Sequence, residues 1–495
     1  MLSKPKPAVD RSTDPRSPET ESGNSDPETP GTYHRYHIET TPAADIAPYP
    51  SRFSVRVGRA GLARHLLTEI LHQRFRIKLI TSRPCMYGVF SGPIGGFAPR
   101  PKMCVGCLRC MTEYPEFVRV SPNPDRKLLG DSYFTPSLVD SVMYEAQTGK
   151  IPVKGAGYRG RFGGEGWDGM WTDMSEIVRP TRDGIHGREF ISTAVHVGDR
   201  PAFLVFDGHG IPTGHVPKGF PLPLPMIFDL PPVSLNHAAI PRILAESARE
   251  LGTLAILPIG LVGNTGLHGK HIVPLVTPDD HAALSTLAEE PLMVEVTSKD
   301  EKLLGSIRKR FPSAIVCLRL DLAPGFEQQL LKSVEGGIRV FHLVADYHGH
   351  NVAGEFVLDL IRKAHQTLLH AQRRDQVTLI GGGGIIVAEH VPKAIVCGLD
   401  LVALETPLLI ALQAAMVGEC ADPATSRWQV PELPVAWGVQ RLTNLLISWR
   451  DQLLEVMGAM GLREVRRLRG ELGRAMFQKD LEREAFEGIT GYEKD

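Results

Sequence analysis

The sequence predicts an α/β fold, in which a closed (β/α)8 barrel follows an N-terminal cysteine-rich layer and precedes C-terminal helices. Three observations lead to this prediction. Eight short apolar runs alternate with amphipathic stretches beyond residue 225, a pattern that favours parallel βαβ units. Three cysteines cluster ahead of these runs, and an apolar pattern at helical spacing follows the last run. Eight units in about 200 residues suggest a closed barrel, and an open doubly wound sheet is the alternative.

Composition divides the chain into five expected segments. Residues 1–50 are rich in Pro, Ser, Thr, Asp and Glu, so they bury too little apolar surface to offset ordering and are predicted to be a disordered tail. Residues 51–150 are the cysteine-rich, ferredoxin-like segment. Residues 151–224 combine glycines with aromatic side chains, which indicates an ordered cover over a domain face. The barrel is expected over 225–430 and the C-terminal helices over 431–495.

Each apolar run of the barrel region is predicted to be one strand. The predicted strands are residues 226–228, 254–257, 272–275, 292–296, 314–320, 340–344, 377–380 and 401–404. Apolar residues at helical spacing predict helices between them, as at 239–251, 354–373 and 389–396. Outside the barrel, the sequence predicts helices over 62–71, 136–147 and from 439 onward, and a charged helix over 463–474.

Charge and cysteine usage exclude several classes of protein. Among 495 residues, 55 basic and 56 acidic side chains nearly cancel, so neither a nucleic-acid nor an acidic-lipid partner is expected. The seven cysteines are odd in number and three are packed together, which disfavours a secreted disulfide framework and favours a reducing cytoplasm. No uncharged apolar run reaches the roughly 20 residues of a membrane span. The N-terminus lacks an apolar segment after its first lysines, so a signal peptide is not expected.

The most informative chemical signal is the run Cys104-Val105-Gly106-Cys107-Leu108-Arg109-Cys110. Gaps of two residues place three thiolates around one small volume, which is the spacing that a cubane iron–sulfur cluster uses in bacterial ferredoxins. The ferredoxin run continues with three residues and a Cys-Pro pair. Here three residues lead instead to Tyr114 and Pro115, so the fourth thiolate of that run is a tyrosine.

Several metal sites are compatible with this spacing. A three-iron cluster needs only Cys104, Cys107 and Cys110, whereas a four-iron cluster needs a remote ligand, for which Cys85 is the nearest candidate. A zinc knuckle and three reduced thiols are the alternatives, because soft thiolates suit zinc as well as iron–sulfur. The predicted metal ligands are therefore these four cysteines.

A glycine run predicts an anion site in the barrel. Gly381-Gly382-Gly383-Gly384 directly follows the seventh predicted strand. Glycines let the backbone approach an anion closely, and barrels commonly bind phosphate with the loops after strands seven and eight. Gly382, Gly383 and Gly384 are thus predicted to line the mouth of the barrel and face an anion, and a simple tight turn is the alternative.

Two other groups of polar residues follow predicted strands, where barrel enzymes keep their chemistry. Arg319, near the end of the fifth strand, is suited either to meeting an anion or to pairing with Asp321. Asp346, His348 and His350 follow the sixth strand and are either metal ligands or a polar loop at the rim.

Taken together, these features resemble the flavin-binding synthase region of glutamate synthase, in its shorter glutaminase-free type, over roughly residues 150–475. The motifs that carry the resemblance are Asn264-Thr265-Gly266, His365-Gln366-Thr367, Gly383-Gly384, Thr406 with Ile410-Ala411-Leu412, and Ile185-His186-Gly187-Arg188-Glu189 in the segment 174–187 and just beyond it. The resemblance implies a (β/α)8 barrel, FMN, an iron–sulfur cluster, and reductive amination of 2-oxoglutarate to glutamate. It also makes Thr406 a cofactor-binding residue beside the glycines.

The chain departs from this family at several positions. Leu267 stands where the family has a glutamate that serves the active site, and the adjacent His268 is the residue able to act as acid or base instead. Arg319 replaces a lysine, and its guanidinium does not release a proton near neutral pH. Arg319 and His268 are the predicted catalytic residues. Glu405 replaces the glycine before Thr406, where a carboxylate would repel a flavin phosphate.

The family's cluster cysteines in the barrel fall on Ala414, Cys420 and Thr425, so only one of them is left. A cluster at that place is therefore not expected. The cysteines around Cys104 are the candidates to supply it from another part of the chain.

Two functions of different classes remain open. The first is an oxidoreductase of glutamate synthase type that acts on a 2-oxo acid or amino acid through FMN, with electrons from a cluster at the N-terminal cysteines. The second is a non-catalytic relative that keeps the barrel as a binding or assembly partner. No glutaminase domain is expected, because no cysteine follows Met1. An electron-donor protein or a separate glutaminase is therefore a candidate partner. The departures predict weak or absent glutamate synthase activity.

Overall fold

The structure is a computed structural model of the chain. It describes residues 38–74, 85–92, 94–152, 163–172, 191–200, 205–213, 218–231 and 237–492. The predicted tail up to residue 37, and about half of the cover segment with its motif at 185–189, lie outside the described residues.

Eight parallel strands close into a barrel. In chain order they are Met226–Phe228, Ala255–Pro258, Ile272–Val276, Met293–Val296, Ile315–Asp321, Val340–Val344, Thr378–Gly382 and Leu401–Leu404. The eighth strand pairs with the first, with Leu404 opposite Phe228, so no strand edge is left open. The predicted (β/α)8 barrel is confirmed, and each predicted strand lies within two residues of the observed one.

Helices connect the strands and cover the barrel. In chain order the described α-helices are Arg59–His72, Arg109–Glu113, Pro136–Thr148, Ala239–Leu251, Ile259–Thr265, Glu301–Arg310, Phe326–Glu335, Val357–His370, His390–Cys397, Thr406–Ala411, Val435–Ala459 and Gln478–Phe486. Ala239–Leu251 buries its apolar stripe, and Gly252 ends it in the left-handed conformation with φ of +66°. Among the described residues, no helix combines the length and apolar character needed to cross a bilayer.

The N-terminal layer is built on a two-stranded antiparallel sheet. Phe53–Val57 pairs with Val118–Pro122 along its whole length. Its buried face, with Val55, Val118 and Val120, packs against Val89 and the cysteine segment. The apolar cluster therefore forms a small core that positions the cysteines.

The long helix Val435–Ala459 attaches the segment that starts at residue 38 to the barrel. Its Asn444, Trp437 and Arg441 side chains donate hydrogen bonds to the carbonyl oxygens of Thr41, Ala44 and Ala43, at 2.8, 2.7 and 3.1 Å. Residues 38–50 are thus held by the helix, and the predicted disordered tail extends too far. The sequence argument missed this because backbone carbonyls, rather than apolar side chains, make the attachment.

The predicted charged helix over 463–474 is wrong. The structure has two short 3-10 turns there, Val465–Arg467 and Leu472–Arg474, followed by a strand, Ala475–Phe477, that pairs with Met170–Thr172. Gly470 has φ of +72°, a left-handed conformation that ends any α-helix at this point. A helix does form later, at Gln478–Phe486.

Candidate active site and four-cysteine cavity

The four predicted metal ligands line one cavity. Cys85, Cys104, Cys107 and Cys110 line a small cavity of about 10 Å³, together with apolar side chains that include Val55, Val89 and Val120. Cys107 is exposed and the other three are partly buried. The structure therefore brings the remote Cys85 to the same place as the clustered triplet.

The backbone of the triplet curls around the cavity because two of its residues adopt left-handed conformations. Gly106 has φ of +72° and Leu108 has φ of +59°. A Cβ on Gly106 would lie 2.2 Å from the ring of Phe53, so only glycine fits there. The amide of Met111 donates a hydrogen bond to the carbonyl of Leu108 at 2.9 Å.

The four thiols are more widely spaced than the ligands of a single bound zinc ion. Among the described residues, no three of the four sulfurs lie within 4.8 Å of one another, whereas four thiolates on one zinc lie about 3.8 Å apart, from Zn–S bonds of about 2.3 Å. Burial, and then the neighbouring thiols, raise the pKa of the Cys110 thiol, and burial raises that of Cys104. Such thiols become good ligands when a cationic centre removes their protons.

Tyr114 takes no part in the cavity's thiol set. Its ring lies edge-on to His65, with centroids 4.9 Å apart, and packs near Phe117 at 5.4 Å. The position that carries the fourth thiolate in the ferredoxin run thus serves aromatic packing. Cys85 approaches from a different segment of the chain. Its distance from the other three cysteines in space could not be predicted from their spacing in the sequence.

A buried ion network occupies the centre of the barrel. Arg319, on the fifth strand, donates two hydrogen bonds to Asp229, at 2.9 and 3.3 Å, and one to Glu295 at 2.8 Å. Burial alone would lower the pKa of Arg319, but the two carboxylates raise it above its usual value. The predicted pairing with Asp321 is therefore replaced by two partners on other strands, and the guanidinium is not free to meet an anion.

His342, on the sixth strand, completes this network. Its Nδ1 lies 3.1 and 3.2 Å from the two carboxylate oxygens of Glu295, and its Nε2 is buried without a hydrogen-bond partner among the described residues. Sequence reasoning missed Asp229, Glu295 and His342. The available signal was a polar residue inside or directly after an apolar strand, a place where polar groups are rare unless paired.

The glycine loop after the seventh strand is packed by the protein itself. Gly383 has φ of +98°, and a Cβ there would lie 2.7 Å from the carbonyl oxygen of Asp346. The carbonyl of Gly384 accepts hydrogen bonds from the Tyr133 hydroxyl at 2.6 Å and from the indole of Trp167 at 3.1 Å. The N-terminal layer thus closes over this loop.

Glu405 lies beside the glycines, buried and uncharged at neutral pH. Burial, and then the nearby Asp229, raise its pKa to about 8. Its Oε2 would lie 3.4 Å from a Cβ on Gly382, so the side chain reaches the glycine backbone. Arg319 and Asp346 are the other charged groups that act on it, with opposite signs.

This raised pKa predicts a pH-dependent stability. Between pH 4.5 and about 8 the folded chain keeps a proton on Glu405 that the unfolded chain releases, so stability falls as pH rises through that window. Glu405→Gln should remove this contribution, which approaches roughly 1.4 kcal/mol per pH unit. Urea unfolding at several pH values measures it. The same change at the exposed Glu250 is the control, and identical slopes for native and Glu405→Gln would contradict the prediction.

The predicted catalytic His268 is not brought to this site. Residues 269–271 lie at the N-terminal ends of the second and third strands. The amide of Ala255 donates to the carbonyl of His271, and the amide of Ile272 donates to the carbonyl of Gly269. His268 and Leu267 therefore lie at the barrel end opposite to Glu405, which follows the eighth strand. His268 is exposed, and its Nδ1 lies 2.7 Å from the carbonyl of Gly266.

The polar residues after the sixth strand act as structural contacts. His348 Nε2 donates a hydrogen bond to Asp131 at 2.8 Å. Burial would raise the pKa of Asp131, but this bond and the bonds from backbone amides outweigh it and lower the pKa below its usual value. The ring of His350 packs edge-on to Phe356. Asp131, His348 and Glu419 lie close enough to share a metal ion, but both carboxylates already accept backbone hydrogen bonds.

Comparison with known proteins finds similarity to glutamate synthases. Residues 345–463 match the family model described as the conserved region in glutamate synthase. An archaeal-type glutamate synthase (NADPH) of Dehalococcoides mccartyi is 23% identical over 443 residues, which cover 75% of this chain and 86% of that protein.

Other matches are shorter or more distant. An archaeal glutamate synthase (NADPH) of Methanocaldococcus jannaschii is 31% identical over 133 residues, which are 25% of this chain and 26% of that protein. A crystal structure of mandelate oxidase with (S)-2-phenylpropionate covers 61% of this chain and 97% of that one, at 14% identity and a TM-score of 0.35.

Some motifs shared with glutamate synthases have a structural role in this chain. His365 is buried on the helix Val357–His370, where its Nδ1 accepts a hydrogen bond from Arg374 at 3.0 Å. Burial and this arginine lower the pKa of His365 to about 4. Cys420 is buried, and its amide donates to Asp131 at 3.0 Å. Cys317 and Cys397 are fully buried in the core.

Proposed function

We propose that this chain is a glutamate synthase-like oxidoreductase whose redox centre is an iron–sulfur cluster held by Cys85, Cys104, Cys107 and Cys110. The observation that carries the proposal is that these four thiols line one apolar-walled cavity. The relation to glutamate synthases supports the oxidoreductase class. A cluster bound there supplies one-electron transfer, at a potential that depends on cluster type, hydrogen bonds to sulfur and exposure.

The residues around the cavity have separate roles in this proposal. Val55, Val89 and Val120 keep water from one side. Cys107 is exposed, so an electron donor can approach from its side. A donor protein and a separate supply of ammonia are the partners that this function requires.

FMN is the flavin that the family resemblance suggests for the barrel. The barrel corner does not fit its phosphate in the family's manner, because the buried Glu405 side chain already lies against the glycine backbone. Arg319 is likewise bonded to Asp229 and Glu295. The proposed function therefore assigns no step to a flavin at this position.

A second candidate is a non-catalytic relative that serves as a binding or assembly protein. The observation that favours it is the network of Asp229, Glu295 and Arg319, which fills the part of the barrel where a substrate would enter. The two candidates differ at the cysteine cavity, since only the first requires a redox-active cluster.

The first candidate predicts a spectrum that depends on Cys85. Anaerobically purified native protein should absorb in the visible range and bleach reversibly on reduction, as iron–sulfur clusters do. Cys85→Ser should lose most of this absorption, whereas Cys420→Ala should keep it because Cys420 lies outside the cavity. Unchanged absorption in Cys85→Ser would point to a three-iron site at the other three cysteines, and a colourless native protein would support the second candidate.

Reductive amination of 2-oxoglutarate is expected to be slow or absent. The substrate's carboxylates would meet Asp229 and Glu295, and the Arg319 charge that could attract them is already paired. Glutamate formation from 2-oxoglutarate with ammonia or glutamine, and a reduced dye as donor, measures this. Turnover on the order of 10 per second, an ordinary enzymatic rate, would contradict the expectation. His268→Ala should not alter any residual rate, because His268 lies at the opposite end of the barrel.

A further inference from the structure

The corner between Gly383 and Glu405 keeps the polar groups of an anion site. The amide of Gly384 donates to the carbonyl of Tyr347 at 3.2 Å, so this loop amide is already bonded within the chain. A Cβ on Gly382 would lie 3.4 Å from Glu405 Oε2, so the glutamate side chain reaches the glycine backbone.

A second observation points to the same corner. The Thr406 hydroxyl is buried, with 1% of the residue exposed, and has no hydrogen-bond partner among the described residues. A buried hydroxyl without a partner costs about 1–3 kcal/mol. This threonine is also the residue that the family resemblance assigns to phosphate, so the corner retains a donor that lacks its acceptor.

We infer that the carboxyl group of Glu405 is an internal occupant of this anion site, and that the native barrel consequently does not bind the phosphate of FMN there. The family has glycine at this position, which leaves the site open. Glu405 is buried and its Oε2 lies against the glycine backbone, so a phosphate would have to expel it. Asp229 and Asp346, which act electrostatically on Glu405, would also oppose a dianion.

Occupation and charge repulsion make different predictions. Sequence reasoning offers repulsion alone, which any neutral side chain would relieve. Occupation is relieved only by a smaller side chain. Glu405→Gln removes the ionisable group and keeps the volume, whereas Glu405→Gly removes the occupant.

The experiment compares native protein, Glu405→Gly and Glu405→Gln. FMN binding is followed by quenching of flavin fluorescence, and inorganic phosphate by the shift in unfolding temperature against chloride of equal ionic strength. Glu405→Gly should bind FMN at least ten-fold more tightly than native protein, and phosphate should raise the unfolding temperature of this variant alone. Glu405→Gln should behave as the native protein does.

Several results would overturn the inference. One is native protein that binds FMN as tightly as Glu405→Gly, and another is Glu405→Gln that binds as Glu405→Gly does. A folded Glu405→Gly with no gain for either FMN or phosphate also contradicts it. If Glu405→Gly does not fold, Glu405→Ala replaces it, and the native titration still decides: saturable FMN binding that inorganic phosphate displaces would show an open site. None of these outcomes depends on the cysteine cavity.

Discussion

Arg319→Met is expected to destabilise the barrel by about 3–5 kcal/mol, the usual cost of removing one partner from a buried ion pair. The change leaves Asp229 and Glu295 facing each other without a cation, and both are buried. The arginine at present lowers the pKa of Asp229 despite its burial. In the variant these carboxyl groups must take up a proton or draw in water, and either response costs stability.

Chemical unfolding of native protein and variant measures this difference. Arg249→Met, at an exposed position of the helix Ala239–Leu251, is the matched control and should change stability little. Arg319→Met combined with Asp229→Asn and Glu295→Gln should recover part of the loss, because no uncompensated charge remains. An Arg319→Met variant as stable as native protein would show that Arg319 is free to meet a ligand, as a catalytic role would require.

Gly383→Val should cost about 2–6 kcal/mol in the absence of any flavin. The backbone at Gly383 has φ of +98°, which costs a branched side chain about 1–3 kcal/mol. The added Cβ would also lie 2.7 Å from the Asp346 carbonyl and 2.9 Å from the Ala345 Cβ, and such overpacking costs about 1–3 kcal/mol more. The total approaches the whole stability of an ordinary domain, which is about 5–15 kcal/mol.

Gly305→Val is the matched control for this substitution. Gly305 lies in the helix Glu301–Arg310, and a Cβ there meets nothing within 4 Å. Valine is no worse than glycine at such a helical position. A Gly383→Val variant that unfolds with the native midpoint would indicate an open loop, which is the arrangement expected from the glycine run alone.

The barrel could be predicted because its signal is repetitive. Each strand is a short apolar run, and the turn and helix signals between the runs are regular, so small errors at the ends did not alter the topology. The helix Pro136–Thr148 was equally readable, since proline opens it and Gly149 ends it with φ of +65°. The predicted helix over 463–474 was wrong because its charged helical pattern was given more weight than the glycine at position 470.

The candidate site was less predictable because its residues meet across the barrel. Asp229 and Arg319 are 90 residues apart in sequence but 2.9 Å apart in space, and no local pattern encodes that contact. Leu267 and His268 illustrate the opposite error. Their motif suggested an active-site position, yet they lie at the other end of the strands. The cysteine spacing did predict one convergent group, and the place of Cys85 depended on tertiary packing.

The direct test of the account is the metal content of the native chain after anaerobic purification. Iron, acid-labile sulfide and zinc are measured on the same sample. A cubane at Cys85, Cys104, Cys107 and Cys110 predicts about four irons and about four sulfides per chain, with zinc well below one equivalent. Protein that contains one zinc, or that contains no metal and has four thiols open to alkylation in the folded state, would contradict the assignment of a redox cluster to this cavity.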